Sequence, residues 1–351
     1  MNQYKNFRMM KGKVSFLLDK RATVVLMVLM LVAGAVFVLS TGMGDMKLSP
    51  LKVLQVLFGG GTDMERLVVQ SFRLPRIIVA LMVGMALAVA GGILQGMIRN
   101  PLASPDVLGI TGGASVAVVS FLAYFSDSNH SLTVSIKWMP LAAFSGAVIV
   151  GLLVYFLAWK SGVSPIRIIL IGIGISALTQ ALTTMLMIMG PIYKASQANI
   201  WITGTVYGSS WSNVAILVPW TVTFILIAFF MVKSINILEL GDEVATGVGG
   251  KIQRQRFFLL LISTALVGGS VAFAGGIGFV GLMAPHMARR LVGSSFGALL
   301  PVSAFIGAIL VMLADLIGRT LFSPLEIPAG VFTAGIGAPY FIYLLFKTRS
   351  R

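Results

Sequence analysis

Nine stretches of this chain run for 20 residues or more without a charged side chain. They are Ala22–Gly44, Ile77–Ile98, Val107–Ser126, Trp138–Trp159, Ile168–Tyr193, Ala195–Val232, Phe257–Ala288, Leu291–Ala314 and Ile327–Phe346. A helix needs about 20 mostly apolar residues to cross a hydrocarbon core of roughly 30 Å. Segments of alternating polarity, the mark of a transmembrane barrel, are not visible. With 57% hydrophobic and only 11% charged residues, the chain lacks the polar surface a soluble domain needs. The predicted fold class is an all-α polytopic membrane protein.

The formal charge of +15 invites a nucleic-acid reading, but the basic residues sit in short connectors between apolar runs, as the positive-inside rule requires. Lys5, Arg8, Lys11, Lys13, Lys20 and Arg21 crowd the front, and Lys347, Arg349 and Arg351 the back. Residues 1–21 and 347–351 are therefore predicted cytoplasmic tails, which requires an even number of spans. Nine runs are odd. Phe257–Ala288 resolves this, because the paired glycines of "AGGIG" (Ala274–Gly278) weaken a helix. It reads as one full span, a turn and a short returning helix, which makes ten. Ten spans put most of the 26 Lys and Arg residues inside and leave Arg73 and Arg76 outside. The first run is followed by "LSTGMGDM", without an Ala-x-Ala cleavage site, and reads as a retained helix. The absence of cysteine excludes disulfides and thiolate metal sites.

Gly84, Ala88, Gly92 and Gly96 recur every fourth residue, a spacing that puts small side chains on one helix face. Such a face serves close packing inside the subunit, or else a dimer interface or substrate path. A faint echo at an offset of 184 residues matches Val83–Gly109 with Val267–Gly293, and five intervening spans would make the copies inverted repeats. Residues 233–256, "KSINILELGDEVATGVGGKIQRQR", form a hydrophilic cytoplasmic connector. Its apolar Leu238, Leu240, Val244 and Val248, beside acidic Glu239, Asp242 and Glu243, suit a groove in a protein partner better than an anionic lipid surface.

An active transporter needs an energy source. No G-x-x-x-x-G-K-[ST] phosphate loop is present, and "GVGGKI" (Gly247–Ile252) has the wrong spacing. Any ATP would be bound by another polypeptide. An ion-coupled carrier would hold ionisable groups within its spans. Asp315 is the best candidate, yet Arg319 at i+4 offers a local ion pair. Glu326 falls in an outer turn, "PLEIPAG". His130 and His286 are predicted on opposite faces of the membrane and cannot share a site. No nucleophile–base pair stands out, which argues against an enzyme.

Several segments together resemble one family. They are Arg73–Ser115 ("RLPRIIVALMVGMALAVAGGILQGMIRNPLASPDVLGITGGAS"), Leu240–Gly249 ("LGDEVATGVG"), Gly275–Gly293 ("GGIGFVGLMAPHMARRLVG"), Ala314–Arg319 ("ADLIGR") and Glu326–Phe341 ("EIPAGVFTAGIGAPYF"). In order and separation they are similar to FecCD-type permeases of type II ABC importers, which carry iron–siderophores, haem or vitamin B12. The resemblance runs from about residue 70 to the end. It implies a single permease domain with the ten-helix fold of the vitamin B12 importer. It further implies a dimer with an identical or paralogous subunit, two cytoplasmic ATPase subunits that bind ATP and Mg, and an extracytoplasmic binding protein. No cofactor is implied for this chain itself.

The same resemblance implies two sets of site residues. Leu240, Gly241, Asp242, Glu243, Val244, Ala245 and Val248 fall at the family's coupling helices. Packing by Leu240, Val244, Ala245 and Val248 in an ATPase cleft is expected, with Asp242 and Glu243 pairing to basic groups there. Arg73 and Arg76 of "RLPR", with Arg319, fall where outward arginines meet acidic residues on the binding protein, and Pro75 is expected as a helix-start residue. The expected function is iron(III)–siderophore import through a bacterial plasma membrane. The alternatives are vitamin B12 or haem import by the same machinery, or an ion-coupled carrier.

Overall fold

Lys20–Gly42 form the first helix, α1, with the Asp19 carboxylate accepting the Arg21 backbone N–H at its start. The computed structural model describes residues 4–9, 14–125, 134–160, 162–190 and 192–349. Ahead of α1 stands an antiparallel hairpin of β1 (Tyr4–Met9) and β2 (Val14–Asp19). The predicted all-α chain thus carries one small hairpin, and α1 already contains Lys20 and Arg21 of the predicted tail. His130 lies outside the described residues.

The other helices follow in order. They are α2 (Pro50–Leu57), α3 (Asp63–Arg66), α4 (Leu74–Ile98), α5 (Ile110–Tyr124), α6 (Met139–Leu157), α7 (Pro165–Met189) and α8 (Ile192–Thr203). After these come α9 (Trp211–Phe230), α10 (Val232–Glu239), α11 (Asp242–Gly247), α12 (Ile252–Ala274), α13 (Val280–Val292), α14 (Phe296–Thr320) and α15 (Ala329–Arg349). Among the described residues, seven helices are long and apolar enough to cross a membrane, and Ile110–Tyr124 and Ala329–Tyr343 are apolar but shorter. The predicted count of ten is larger than the seven that meet both criteria. Phe257–Ala288 divides as expected into α12, a Gly275–Phe279 turn and the returning α13. The 38-residue run Ala195–Val232, read as one span, instead splits at the Gly204–Ser210 turn into α8 and α9.

Pro75 does not start a helix. A capping box between Thr62 and Glu65 starts one twelve residues earlier, and the chain stays helical from Asp63 to Ile98. Leu67–Arg73 is wound as π-helix, with the Leu74 N–H reaching the Val69 carbonyl. The looser turn accommodates the Pro75 ring, which in a regular α-helix collides with the carbonyl four residues back.

α4 is the hub of the bundle. A methyl group added at Gly84 would collide with the Gly307 and Ala308 backbone of α14, and one at Gly91 with Gly281 of α13. Ala88 sits over Gly307, Gly92 faces Leu300, and Gly96 accommodates the Phe296 ring and Ile235. The four-residue stripe therefore packs inside the subunit, where small residues let backbones approach. α4 and α12 run antiparallel, the relation an inverted repeat requires: Ser263 donates to the Ala90 carbonyl, and Arg256 at the start of α12 shares Asp242 with Arg99 at the end of α4.

Candidate functional site

Charged side chains gather at the two ends of α4. At the first, Arg73 is only 8% exposed and donates to the carbonyls of Thr41 (2.9 Å), Gly42 (3.1 Å) and Met46 (2.6 Å). Arg319, equally buried, donates to the carbonyls of Met43 (2.7 Å) and Ser40. The last turn of a helix leaves carbonyls without partners and carries partial negative charge. Arg73 and Arg319 together cap α1 from two other helices. Gly44 makes room for this: a side chain there would meet the Arg73 guanidinium at 2.6 Å.

Arg76 is held between two carboxylates. Its Nε and Nη2 donate to Asp315 at 2.9 and 2.8 Å, and Nη1 and Nη2 to Glu326 at 3.1 and 2.9 Å. The Tyr207 ring lies 5.6 Å away in cation–π contact. The local Asp315–Arg319 pair exists at 3.4 Å, but Asp315's closer partner is Arg76, 239 positions away. A cleft of about 690 Å³ opens over these groups, lined by Arg73, Arg76, Tyr207, Trp211, Arg319 and Glu326, with Asp45 on its wall. Three guanidiniums thus face three carboxylates. None of the three arginines is a free outward charge, as the sequence had suggested; of the carboxylates Asp315 is buried, while Asp45 and Glu326 are exposed.

At the opposite end, Asp242 accepts from Arg256 at 2.7 Å and from Arg99 at 3.2 Å, and Glu239 accepts from Arg289 at 2.6 Å. Arg256 is 1% exposed and also donates to the Val163 carbonyl at 2.7 Å. These pairs pin α10 and α11 to the ends of α4, α12 and α13. Asp242 is therefore committed within the chain rather than left for a partner. Gly241, with φ of 116°, makes the sharp turn between α10 and α11, in a region of backbone space that favours glycine. Ala245 is fully buried, not a docking anchor, because the segment folds it against the subunit. Leu240, Val244 and Val248, at i, i+4 and i+8, are 69%, 47% and 65% exposed, and Glu243 is exposed beside them. The exposed apolar set is smaller than the sequence implied: Val244 stands on α11, Val248 follows its last residue, and Leu240 precedes the Gly241 turn.

A third polar site was invisible in the sequence. Asp106, in "SPDVLG", reads as part of a surface connector. Instead, residues 100–109 turn back into the bundle, where the Asp106 carboxylate accepts from the Thr111 hydroxyl at 2.9 Å and from the Phe279 N–H at the start of α13. Ser176, near the middle of α7, donates to the Asp106 carbonyl at 3.3 Å. A carboxylate at a helix N-terminus offsets its partial positive charge. Phe279 sits at positive φ (66°), which turns its N–H toward that loop.

This framework matches a family. The model of the FecCD transport family fits residues 28–347. The chain belongs to the FecCD transport family. Among its FecCD relatives, the probable siderophore transport system permease protein YfhA of Bacillus subtilis is 58% identical over 95% of this chain and 97% of its own length. The iron(3+)-hydroxamate import permease FhuG of the same organism is 45% identical over 92% and 97%, and the achromobactin permease CbrC of Dickeya dadantii 46% over 91% and 90%. A solved metal-chelate type ABC transporter in an inward-facing conformation superposes with a TM-score of 0.82, at 30% identity, covering 93% of this chain and 99% of that one.

Proposed function

We propose that this chain is the membrane permease subunit of a binding-protein-dependent ABC importer for iron(III)–siderophore complexes. The observation that carries this reading is the 58% identity, nearly end to end, with a siderophore permease. In this reading the chain is a single permease domain of ten spans, the seven long helices joined by α5, α13 and α15. Both termini and the Asp242 end face the cytoplasm. ATP and Mg are bound by separate ATPase subunits, and a second permease subunit completes the path.

The two ends then have distinct tasks. Leu240, Val244 and Val248 enter a cleft of the ATPase, with Glu243 at its rim, while the Glu239 and Asp242 ion pairs hold α10–α11 rigid against the push. At the other end the binding protein seats over the Arg76 cleft. Each arginine there already has partners within the chain, so an incoming carboxylate competes with Glu326, the exposed one of the two that hold Arg76, for the two-pronged Arg76 fork. Arg73 and Arg319 support this by holding the α1 end and its following loop in shape.

Uptake of radioactive iron–siderophore into vesicles tests the reading, with the chain reconstituted alongside its second permease subunit, ATPase and binding protein. Uptake is expected only with ATP and with every component present. Uptake that follows an ion gradient without the ATPase would overturn it.

A further inference from the structure

The groove between α9 and α12 has the makings of a lipid site. On α12, Arg254, Phe258, Leu261 and Ala265 stand in one stripe; Trp220 and Phe224 of α9, and Met231 just past its end, line the other side. Near the Asp242 end the groove opens as a mouth of about 520 Å³ lined by Lys251, Arg254 and Gln255. Farther along the same two helices, and bounded also by α6, lies a second, apolar cavity of about 240 Å³ walled by Phe144, Leu152, Trp220, Phe224, Leu261 and Ala265, where the buried Thr264 hydroxyl has no partner. Along α12, Arg254 to Ala265 covers about 16 Å at 1.5 Å per residue. That is about half of a roughly 30 Å hydrocarbon core, the depth of one leaflet.

The flanking surfaces say what surrounds the groove. Ile149 and Phe156 of α6, and Leu226 and Phe230 of α9, are all more than half exposed, as side chains facing hydrocarbon are. The mouth is different. Neither Lys251 nor Arg254 forms an ion pair among the described residues; Arg254 only lies over the Phe258 ring at 5.6 Å. No side chain caps α12, so its first-turn N–H groups and positive dipole end add to the two cations. Gln255 Oε1, buried and without a partner, lines the same mouth and is free to accept from a headgroup hydroxyl.

We infer that the α9–α12 groove binds one anionic phospholipid with a hydroxylated headgroup, such as phosphatidylglycerol. Its phosphate lies at Lys251, Arg254 and the start of α12, and one acyl chain lies against Trp220. Basic residues at a membrane surface each favour an anionic lipid by about fivefold, so the pair supplies about 25-fold.

Trp220 is a built-in reporter. The full chain is reconstituted in phosphatidylcholine vesicles containing a small fraction of phosphatidylglycerol brominated on its acyl chain, and the Trp220 signal is taken as the difference from Trp220→Phe. Half-quenching is expected at a tenfold or more lower fraction of the brominated anionic lipid than of brominated phosphatidylcholine. Lys251→Gln with Arg254→Gln should abolish that preference while leaving quenching by the zwitterionic lipid unchanged, which also shows that the variant is folded. Equal quenching by both lipids in the parent chain overturns the inference. So does loss of the preference when the ATPase assembles, because the basic mouth then belongs to a protein contact.

Discussion

Replacing Asp242 by Ala should loosen the whole α10–α11 segment, and the structure fixes how much. Asp242 accepts from a guanidinium that is 1% exposed and from one that is 36% exposed. A hydrogen bond to a charged group contributes about 1.5–3 kcal/mol, and an ion left buried without its partner costs about 3–5 kcal/mol. Asp242 itself is 41% exposed, so water partly replaces it, and Arg256 keeps the Val163 carbonyl. The net loss should be about 2–3 kcal/mol, nearly all through Arg256. Arg99→Ala removes only the exposed pair, which contributes about 0–1 kcal/mol. Hydrogen exchange at the amides of residues 242–250 reads this difference directly, because local opening sets their rates. Asp242→Ala should speed exchange there by about 30- to 150-fold, and Arg99→Ala by no more than about fivefold. Equal acceleration by both variants would refute the assignment of Arg256 as the buried partner that holds the α10–α11 segment.

Val244→Glu should leave this exchange pattern and membrane insertion intact yet abolish ATP-driven uptake, since Val244 faces outward. Ala245→Arg should instead lower the yield of folded protein, because a buried methyl has no room for a guanidinium and its charge; equal yield would show that the segment is more open than the structure has it. Glu326→Gln should tighten binding-protein association severalfold by weakening the internal competitor for Arg76, measured as Kd with the reconstituted transporter, and weaker binding would count against competition at that site. Gly84→Val should destabilise by more than the 1–3 kcal/mol usual for overpacking, because the obstruction is Gly307 backbone rather than a side chain; unfolding in mixed micelles would show it.

The apolar runs, the "AGGIG" break and the small-residue stripe carried the bundle because each acts locally: a span is a contiguous run, and a four-residue repeat is one helix face. What the sequence hid was pairing across distance. Nothing near Arg73 signals that its partners are carbonyls at Thr41, Gly42 and Met46, because a carbonyl is offered by every residue and leaves no compositional trace. Arg76 was legible as a charged residue at a helix mouth, but not as the partner of Asp315. Arg319, at helical spacing from Asp315, stood as the obvious candidate and proved the longer contact. Asp106 escaped for a third reason. A short stretch with Pro, Asp and Gly looks the same on a surface as in a loop folded back into a bundle. A polar group inside such a bundle is recognised only by the helix end it caps.

These pairings also decide which elements are free to move. α4 meets α14 and α13 backbone to backbone at Gly84 and Gly91, and 78% of its most apolar window is buried. Helices in such contact cannot slide by fractions of a turn without collision, so they move as one body. The Arg76 and Arg99 ends of α4 are therefore two ends of a stiff rod, roughly 35 Å long at 1.5 Å per residue. Outside this block α1, α7 and α9 have only 11%, 28% and 22% of their windows buried, and α7 meets α5 and the returning loop at Gly172, Ser176 and Thr179. A change imposed on α10–α11 at the Asp242 end would pass into the α4–α12–α13–α14 block without deforming it. Relative motion is then left to the less buried helices outside it, with α7 held by hydrogen bonds from Ser176 to the loop that also caps α13 and from Arg167 to the Ala158 and Lys160 carbonyls.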